Sequence, residues 1–336
     1  MSAELPNLDR YAPQMRFGPL GEDGQRRLVA GRALVCGCGA LGSALANILV
    51  RAGVGTVRIV DRDFVELNNL HRQTLFDEDD VAAALPKAVA AVQKLARVNS
   101  NVRIEPVVAD IAPTNIERLC EDVDVIVDGT DKFETRFLIN DAAVRLGLPW
   151  VYGGCVGADG QVMTILPHVT PCLRCLLPDC PAPGSAPTCD TVGILPPTVG
   201  VIASLEAAEA IKILSGHMEA IATGLTVIEL WPIRLTQVDL AGLRDRADCP
   251  ACRHGEFAWL SGREGVKTSV LCGRNTVQLT SPGQSVSLGE LAGRLAAVGP
   301  IVRNEFLLRL VVAPYQITVF ADGRALVHGT DDPVTA

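Results

Sequence analysis

Two cysteine pairs, Cys172 with Cys175 and Cys249 with Cys252, are each separated by two residues, and the pairs stand about 75 residues apart. Each pair can grip one metal ion. Together they make a four-thiolate tetrahedral site with no open coordination position, the signature of structural zinc. A redox dithiol is the competing reading, although neither pair sits in a thioredoxin-like strand-to-helix context. Cys180 is close enough in sequence to substitute as a ligand. Cys189 stands outside both pairs, after the proline-rich stretch 178–187, and is either an inert thiol or an accessible nucleophile.

A second group of residues points to phosphate chemistry. In Gly37-Cys38-Gly39-Ala40-Leu41-Gly42 the glycines let backbone amides approach a phosphate at the start of the next helix. Asp61 lies 19 residues past Gly42, where a carboxylate accepts ribose hydroxyls. So far the pattern predicts only adenine-nucleotide binding through Gly37, Gly39, Ala40, Gly42 and Asp61. The run from Asp61 to Gln73 then adds Asp63, Asn69 and Arg72 just beyond the strand end. A dehydrogenase needs a carboxylate there and little else, whereas a cation such as Arg72 makes the phosphate chain the reacting group. Lys87 follows Pro86 at a helix start, and is either aimed with the helix dipole at an anion or solvated. Asp131, past the strand 123–128, is either a magnesium ligand on the same rim or a helix N-cap shared with Thr130.

These residues require elements to hold them. Apolar runs at 33–36, 57–60, 102–108, 123–128 and 150–154 read as strands, alternating with helical patterns at 43–52, 84–98, 114–121 and 136–146. That order predicts an α/β, Rossmann-like, doubly wound and largely parallel sheet. Further strands follow at 160–166 and 225–230. Between them the helix 199–214 is apolar except for Ser204, Glu206, Glu209 and Lys212, and is expected to be buried or at a subunit interface. Residues 10–28 read as a short helix and a cation-bearing loop, a solvated lid. Residues 258–336 hold a strand at 275–279, a helix at 288–298, a strand at 306–312 and a hairpin turning at Asp322-Gly323, a small α/β module after a first domain of 1–257.

With 48% hydrophobic and 20% charged residues in 336, composition is that of an ordinary two-domain globular chain. No apolar run reaches a bilayer-spanning length and no signal pattern opens the chain, so a cytoplasmic protein is expected. A net charge of −8 argues against nonspecific nucleic-acid binding, and eleven cysteines without an export signal favour metal ligands or reactive thiols over disulfides.

Together these stretches resemble the ThiF/MoeB/HesA adenylyltransferases of the ubiquitin-activating-enzyme superfamily. The matching residues run in order through Arg10-Tyr11 to Gln14, Gly37 to Gly42, Gly53-Val54-Gly55, Asp61 to Gln73, Pro86-Lys87, Asp128 to Arg136, Cys172 to Cys175, Cys189 to Pro196 and Cys249 to Cys252. The resemblance implies ATP-dependent activation of the C-terminal glycine of a ubiquitin-like sulfur carrier (ThiS or MoaD type, ending in Gly-Gly). The products would be an acyl-adenylate and pyrophosphate, serving sulfur transfer to thiamin, molybdopterin or tRNA. It also implies a homodimer in which Asp61 holds the ribose, Asn69 and Arg72 the phosphates, Lys87 the β/γ region and Asp131 the Mg2+ ion. Cys189 matches the cysteine that takes the activated tail in a covalent or persulfide-linked step in the ThiF branch and is dispensable in the MoeB branch.

The sequence departs from that pattern twice. Pro13 replaces an arginine that family members contribute across the dimer, leaving Arg10 or Arg16 to substitute. Lys132 replaces the asparagine of the family's Thr-Asp-Asn, and either points away from the nucleotide or compensates for the missing arginine. The motifs stop before residue 258. The module beyond them is similar by position to the ubiquitin-fold domain of some eukaryotic activating enzymes. It has no rhodanese-like cysteine loop, Cys272 being isolated, so the sulfur donor is expected to be another protein. The alternatives are adenylation of a short peptide's C-terminus, a catalytically silent nucleotide-sensing scaffold and, more distantly, an NAD-dependent dehydrogenase.

Overall fold

The structure, a computed structural model, describes residues 8–182, 185–264, 270–271, 275–280, 286–321, 323–330, 332 and 334–336. Cys272 and Asp322 lie outside them. The first sheet comprises β1 (Arg32–Cys36), β2 (Thr56–Val60), β3 (Arg103–Val107), β4 (Val125–Asp128), β5 (Trp150–Val156), β6 (Asp159–Ile165), β7 (Leu225–Leu230) and β8 (Ile233–Val238). Their spatial order is β3-β2-β1-β4-β5-β6-β7-β8, with the first five parallel and the last three antiparallel. This is the expected doubly wound sheet, extended by antiparallel strands.

Side chains on a strand alternate between faces, so one apolar run feeds two cores. Ala33 and Val35 of β1 join Val57, Ile59, Val125 and Val127 beneath the helices Ala40–Ala52, Lys87–Val98 and Pro196–Ser215. Leu34 and Cys36 join Val60 and Ile126 against the helix Phe133–Leu146 and the cysteine cluster. Because β1 lies between β2 and β4, the strand order reverses beside it, and the crevice at the carboxyl ends of β1 and β4 is the usual ligand position of such sheets.

One expectation is corrected. The stretch around Gly24 is not a lid: Gly21–Ala30 is a helix whose Gln25, with Gln14, donates to the carbonyl of Ala52, while Arg27 donates to that of Ser215. Arg10 likewise donates to the carbonyl of Val98 at 2.6 Å. All three carbonyls lie at helix C-terminal ends, where the final turn lacks intrahelical donors and carries negative dipole charge. The segment therefore braces the ends of those helices remote from the glycine turn. In the helix Pro196–Ser215, expected to be buried or at a subunit interface, Glu206 and Glu209 are both buried. Glu209 is satisfied by Thr164, Lys212 and the amide of Ala222. Glu206 packs its carboxyl against the backbone of Gly153, where a Cβ would clash at 1.9 Å, and has no hydrogen-bond partner among the described residues.

The second sheet, antiparallel and ordered β11-β12-β13-β14-β10-β9, comprises β9 (Val270–Leu271), β10 (Thr276–Thr280), β11 (Ile301–Arg303), β12 (Leu307–Val312), β13 (Tyr315–Phe320) and β14 (Arg324–His328). Leu308 and Leu310 pack with Leu288 and Leu291 of the helix Leu288–Leu295. Leu307, Phe320 and Leu326 instead bury Phe64 and Ala84 of the first unit. Among the described residues, no helix is long and apolar enough to cross a membrane.

Candidate functional site

The glycine turn follows β1 directly. Gly37 has φ +87°, and a Cβ there would lie 2.7 Å from the carbonyl oxygen of Gly129, just past β4. Only glycine allows the two strand ends to approach this closely. The turn leads into the helix Ala40–Ala52 with Gly39 at its N-cap, leaving helix-terminal N–H groups directed at the crevice.

Asp61 leaves β2 opposite this turn. One carboxylate oxygen accepts the Cys38 amide at 2.6 Å and the other accepts the Asp63 amide at 2.7 Å. Burial raises its pKa, opposed by the nearby Lys87 ammonium. Lys87 is itself buried at 5% exposure, which excludes the solvated reading. Its Nζ lies 3.2 Å from Asp63, whose other carboxylate oxygen is 3.4 Å from Arg62. The backbone fixes this grouping: the Lys87 amide donates to the carbonyl of Asp63 at 2.9 Å, and Phe64 bridges to Pro86 in antiparallel fashion. Sequence spacing alone could not bring residues 24 apart into one cluster.

Beyond Asp63 the chain makes a short 3-10 turn, Leu67–Asn69. The Asn69 carboxamide closes that turn, accepting the Glu66 amide and donating to Asn68, and Arg72 donates to the carbonyl of Asn68 at 2.9 Å. The next residue, Gln73, is buried and brings its amide nitrogen to 4.0 Å from a Cβ built on Gly39, so this loop closes over the glycine turn.

Asp131 is exposed on the rim after β4. The N-cap reading fails: Lys132 holds the N-cap position of the helix Phe133–Leu146 without a capping hydrogen bond, and the Thr130 hydroxyl donates to Asp128. Burial and the neighbouring Arg62 lower the pKa of Lys132, against the pull of Asp131, Asp63 and Asp110. Arg136, which motif reading passes over, is buried; it binds Asp128 at 3.1 Å and the carbonyls of Thr130 and Gly153 at 2.8 and 2.9 Å, and stacks on Tyr152. It ties the Asp131 loop to β5. The available signal was an arginine eight residues after a strand-end aspartate.

Cys189 opens a short helix capped by Thr188, and its Sγ donates to the carbonyl of Cys155 at 3.4 Å, near the end of β5. The crossing that follows is pinned by Gly157, whose amide donates to Gly193 and whose carbonyl accepts from Leu195. The thiol thus stands two residues along β5 from Gly153, the strand contact of Arg136. Arg10, bound to Val98, and Arg16, exposed, occupy the N-terminal segment near Pro13.

The four sulfurs of Cys172, Cys175, Cys249 and Cys252 lie within 4.8 Å of one another, with separations of 3.5 Å for Cys172–Cys249 and 3.3 Å for Cys175–Cys252. Tetrahedral zinc with bonds of about 2.3 Å spaces its sulfurs by about 3.8 Å, so the cluster fits the ion. Hydrogen bonds from Cys172 and Cys175 lower the pKa of Cys252 to about 7. Asn140 donates to Cys172 and accepts the Leu173 amide, anchoring the cluster to the helix Phe133–Leu146. Cys180 lies outside the cluster, its thiol raised to about 11 by burial.

Comparison with known proteins agrees with this arrangement. The ThiF family matches residues 11–251. The sulfur carrier protein ThiS adenylyltransferase of Bacillus subtilis is 44% identical over 325 residues, covering 96% of this chain and 95% of that protein. This likeness extends into the second sheet, further than the motifs reach. The SAMP-activating enzyme E1 of Haloferax volcanii is 36% identical, covering 76% of this chain and 92% of its own. Among solved structures, E. coli MccB superposes with a TM-score of 0.62 at 23% identity, over 74% of this chain and 75% of that one, a likeness of fold.

Proposed function

The chain belongs to the ThiF family, and from that membership we propose that it is an ATP-dependent adenylyltransferase acting on the C-terminal glycine of a ubiquitin-like sulfur-carrier protein. The names of its relatives support the substrate class. The observation that carries the chemistry is the buried Lys87–Asp63–Asp61 cluster facing the glycine turn.

The attacking carboxylate is already ionised, so the enzyme need not remove a proton. It must neutralise phosphate charge and align an in-line attack. A carboxylate oxygen of the carrier forms a bond to the α-phosphorus while the α–β bridging oxygen leaves with pyrophosphate, giving the acyl-adenylate. Helix-terminal amides of Gly39 and Ala40, behind the spacing glycines Gly37 and Gly42, receive phosphate oxygens. Asp61, with one amide on each oxygen, keeps lone pairs for the ribose hydroxyls. Arg72, Asn69 and Lys132 border the phosphates, and Lys87 exchanges part of its Asp63 contact for the departing β/γ-phosphates. Asp131 would hold a magnesium ion, which usually needs only one or two carboxylates because phosphates and water complete its shell. That ion would neutralise the leaving pyrophosphate. Zinc in the four-cysteine cluster would fix the strands flanking the substrate-tail crossing, and Cys189 on that crossing would accept the activated tail afterwards.

We assign residues 1–257 to the adenylating unit, acting as a homodimer, with sulfur supplied by a separate protein. ATP–pyrophosphate exchange with carriers ending in Gly-Gly, each beside a copy lacking the last glycine, tests the reading. Exchange that requires one carrier and its final glycine supports it; ATP binding without exchange from any carrier refutes it.

A further inference from the structure

The second sheet does not hang free of the nucleotide crevice; it is built onto the two segments that position Asp61, Asp63 and Lys87. Phe64, between Asp63 and the following turn, is inserted among Leu307, Phe320 and Leu326, and the Arg309 guanidinium lies over its ring at 4.5 Å. On the facing segment Ala84 is buried with φ +49°, a left-handed conformation that costs a non-glycine residue energy and persists only when its surroundings impose it. Asn304 imposes it. Its amide nitrogen donates to the carbonyls of Ala83 and Ala84 at 3.2 and 3.0 Å, while its side-chain oxygen accepts the amides of Phe306 and Leu307, both at 2.9 Å. Three residues after Ala84 comes Lys87.

A third connection runs behind Asp61. Arg62 donates to Asp110 at 2.8 Å and to Gln278 of β10 at 2.7 Å. Gln278 donates to Asp110 at 3.2 Å, and Arg324 of β14 reaches the same carboxylate at 3.4 Å. The two clamped segments are joined to each other by the Val65 amide to Leu85 carbonyl bond and the Lys87 amide to Asp63 carbonyl bond, each 2.9 Å. Moving either one therefore moves the Lys87–Asp63 pair.

We infer that the C-terminal sheet is a positioning clamp for the adenylation site, with Asn304, Arg309 and Gln278 as positioning residues that hold Lys87 and Asp63 in register for ATP. The inference rests on the adenylyltransferase reading. It differs from a role as a docking platform for the carrier, because the contacts reach the nucleotide segments.

Asn304→Asp is the discriminating variant. It keeps the oxygen that accepts from Phe306 and Leu307, so the module's own turn is retained, but sets a carboxylate against two carbonyls in place of the donor. Arg309→Met is the companion, removing the guanidinium over Phe64 while keeping an apolar stem. In full-length protein both variants are expected to raise the KM for ATP in carrier-dependent exchange about tenfold, leaving the KM for carrier within twofold. They are also expected to weaken Mg-ATP binding by calorimetry to the same degree. Both KM values unchanged, whether or not the melting temperature falls, would leave only a structural role and overturn the inference. A raised carrier KM with an unchanged ATP KM would overturn it in favour of carrier docking. Should the wild type bind ATP yet catalyse no exchange, the functional reading fails while calorimetry still decides the clamp. A wild type that binds no ATP refutes both.

Discussion

Lys87→Met tests the chemistry where the structure allows a magnitude to be worked out. The ammonium is buried, 3.2 Å from one oxygen of Asp63. Two unit charges at that separation interact by about 5 kcal/mol at an effective dielectric constant of 20. A phosphate oxygen taking over part of this contact gains a similar gross amount, less what it gives up in water and what the ammonium gives up at Asp63. A net loss of about 3–4 kcal/mol on removal corresponds to roughly a 100- to 1000-fold fall in kcat/KM, the range seen for a single preorganised charge or donor. Folding suffers less. Methionine keeps the length of the stem, and Asp63 retains Arg62 at 3.4 Å, so the variant avoids the orphaned buried charge that makes broken ion pairs expensive. The assay is carrier-dependent pyrophosphate exchange read beside thermal unfolding. Exchange within threefold of wild type would refute the assignment, as would a loss matched by an equal loss of folded protein.

Glu206 gives a prediction in pH. Burial pushes its carboxyl well above the ordinary carboxylate range with Asp128 adding to the shift, only partly countered by Arg136, so the folded state holds a proton that the unfolded chain releases from about pH 4.3. Its stabilising contribution is thus complete below that pH and is lost, at up to about 1.4 kcal/mol per pH unit, as pH rises towards the folded-state value. Glu206→Met should therefore gain on the wild type in chemical denaturation between pH 5 and 7; a difference that does not vary with pH would mean that the carboxylate is ionised beside Arg136. Purified protein should contain one zinc per chain. Chelation removes several kcal/mol of folding free energy, and at roughly 1.5 °C per kcal/mol for a chain of this size lowers the melting temperature on the order of 5 °C; metal-free protein of unchanged stability would exclude the site. Cys189→Ala should leave pyrophosphate exchange intact and abolish only a later covalent adduct with the carrier, detected by mass spectrometry; loss of exchange itself would show the thiol assignment to be wrong.

What the sequence determined by itself was whatever depends on local spacing. Strand runs alternating with helical patterns gave the doubly wound sheet, because the period of apolar residues records which faces must be buried. Gly37 and Gly42 marked the turn because only glycine permits the contacts made there, and two cysteine pairs marked a metal site because each is a complete bidentate unit. Tertiary structure decided everything that depends on which distant residues meet. Lys87 is buried and paired only because the segment around Pro86 bridges to Phe64, and Arg10 and Arg27 are helix-end braces because carbonyls far along the chain need donors. Glu206 and Glu209 of the helix Pro196–Ser215 turn inward because β5 and β6 lie against that face. The role of Asn304 was invisible in sequence, since an asparagine in a turn looks like any other until the strained backbone of Ala84, 220 residues earlier, is found against it. Periodicity reports burial within an element, but charge pairing and strain belong to contacts between elements, which only the folded chain defines.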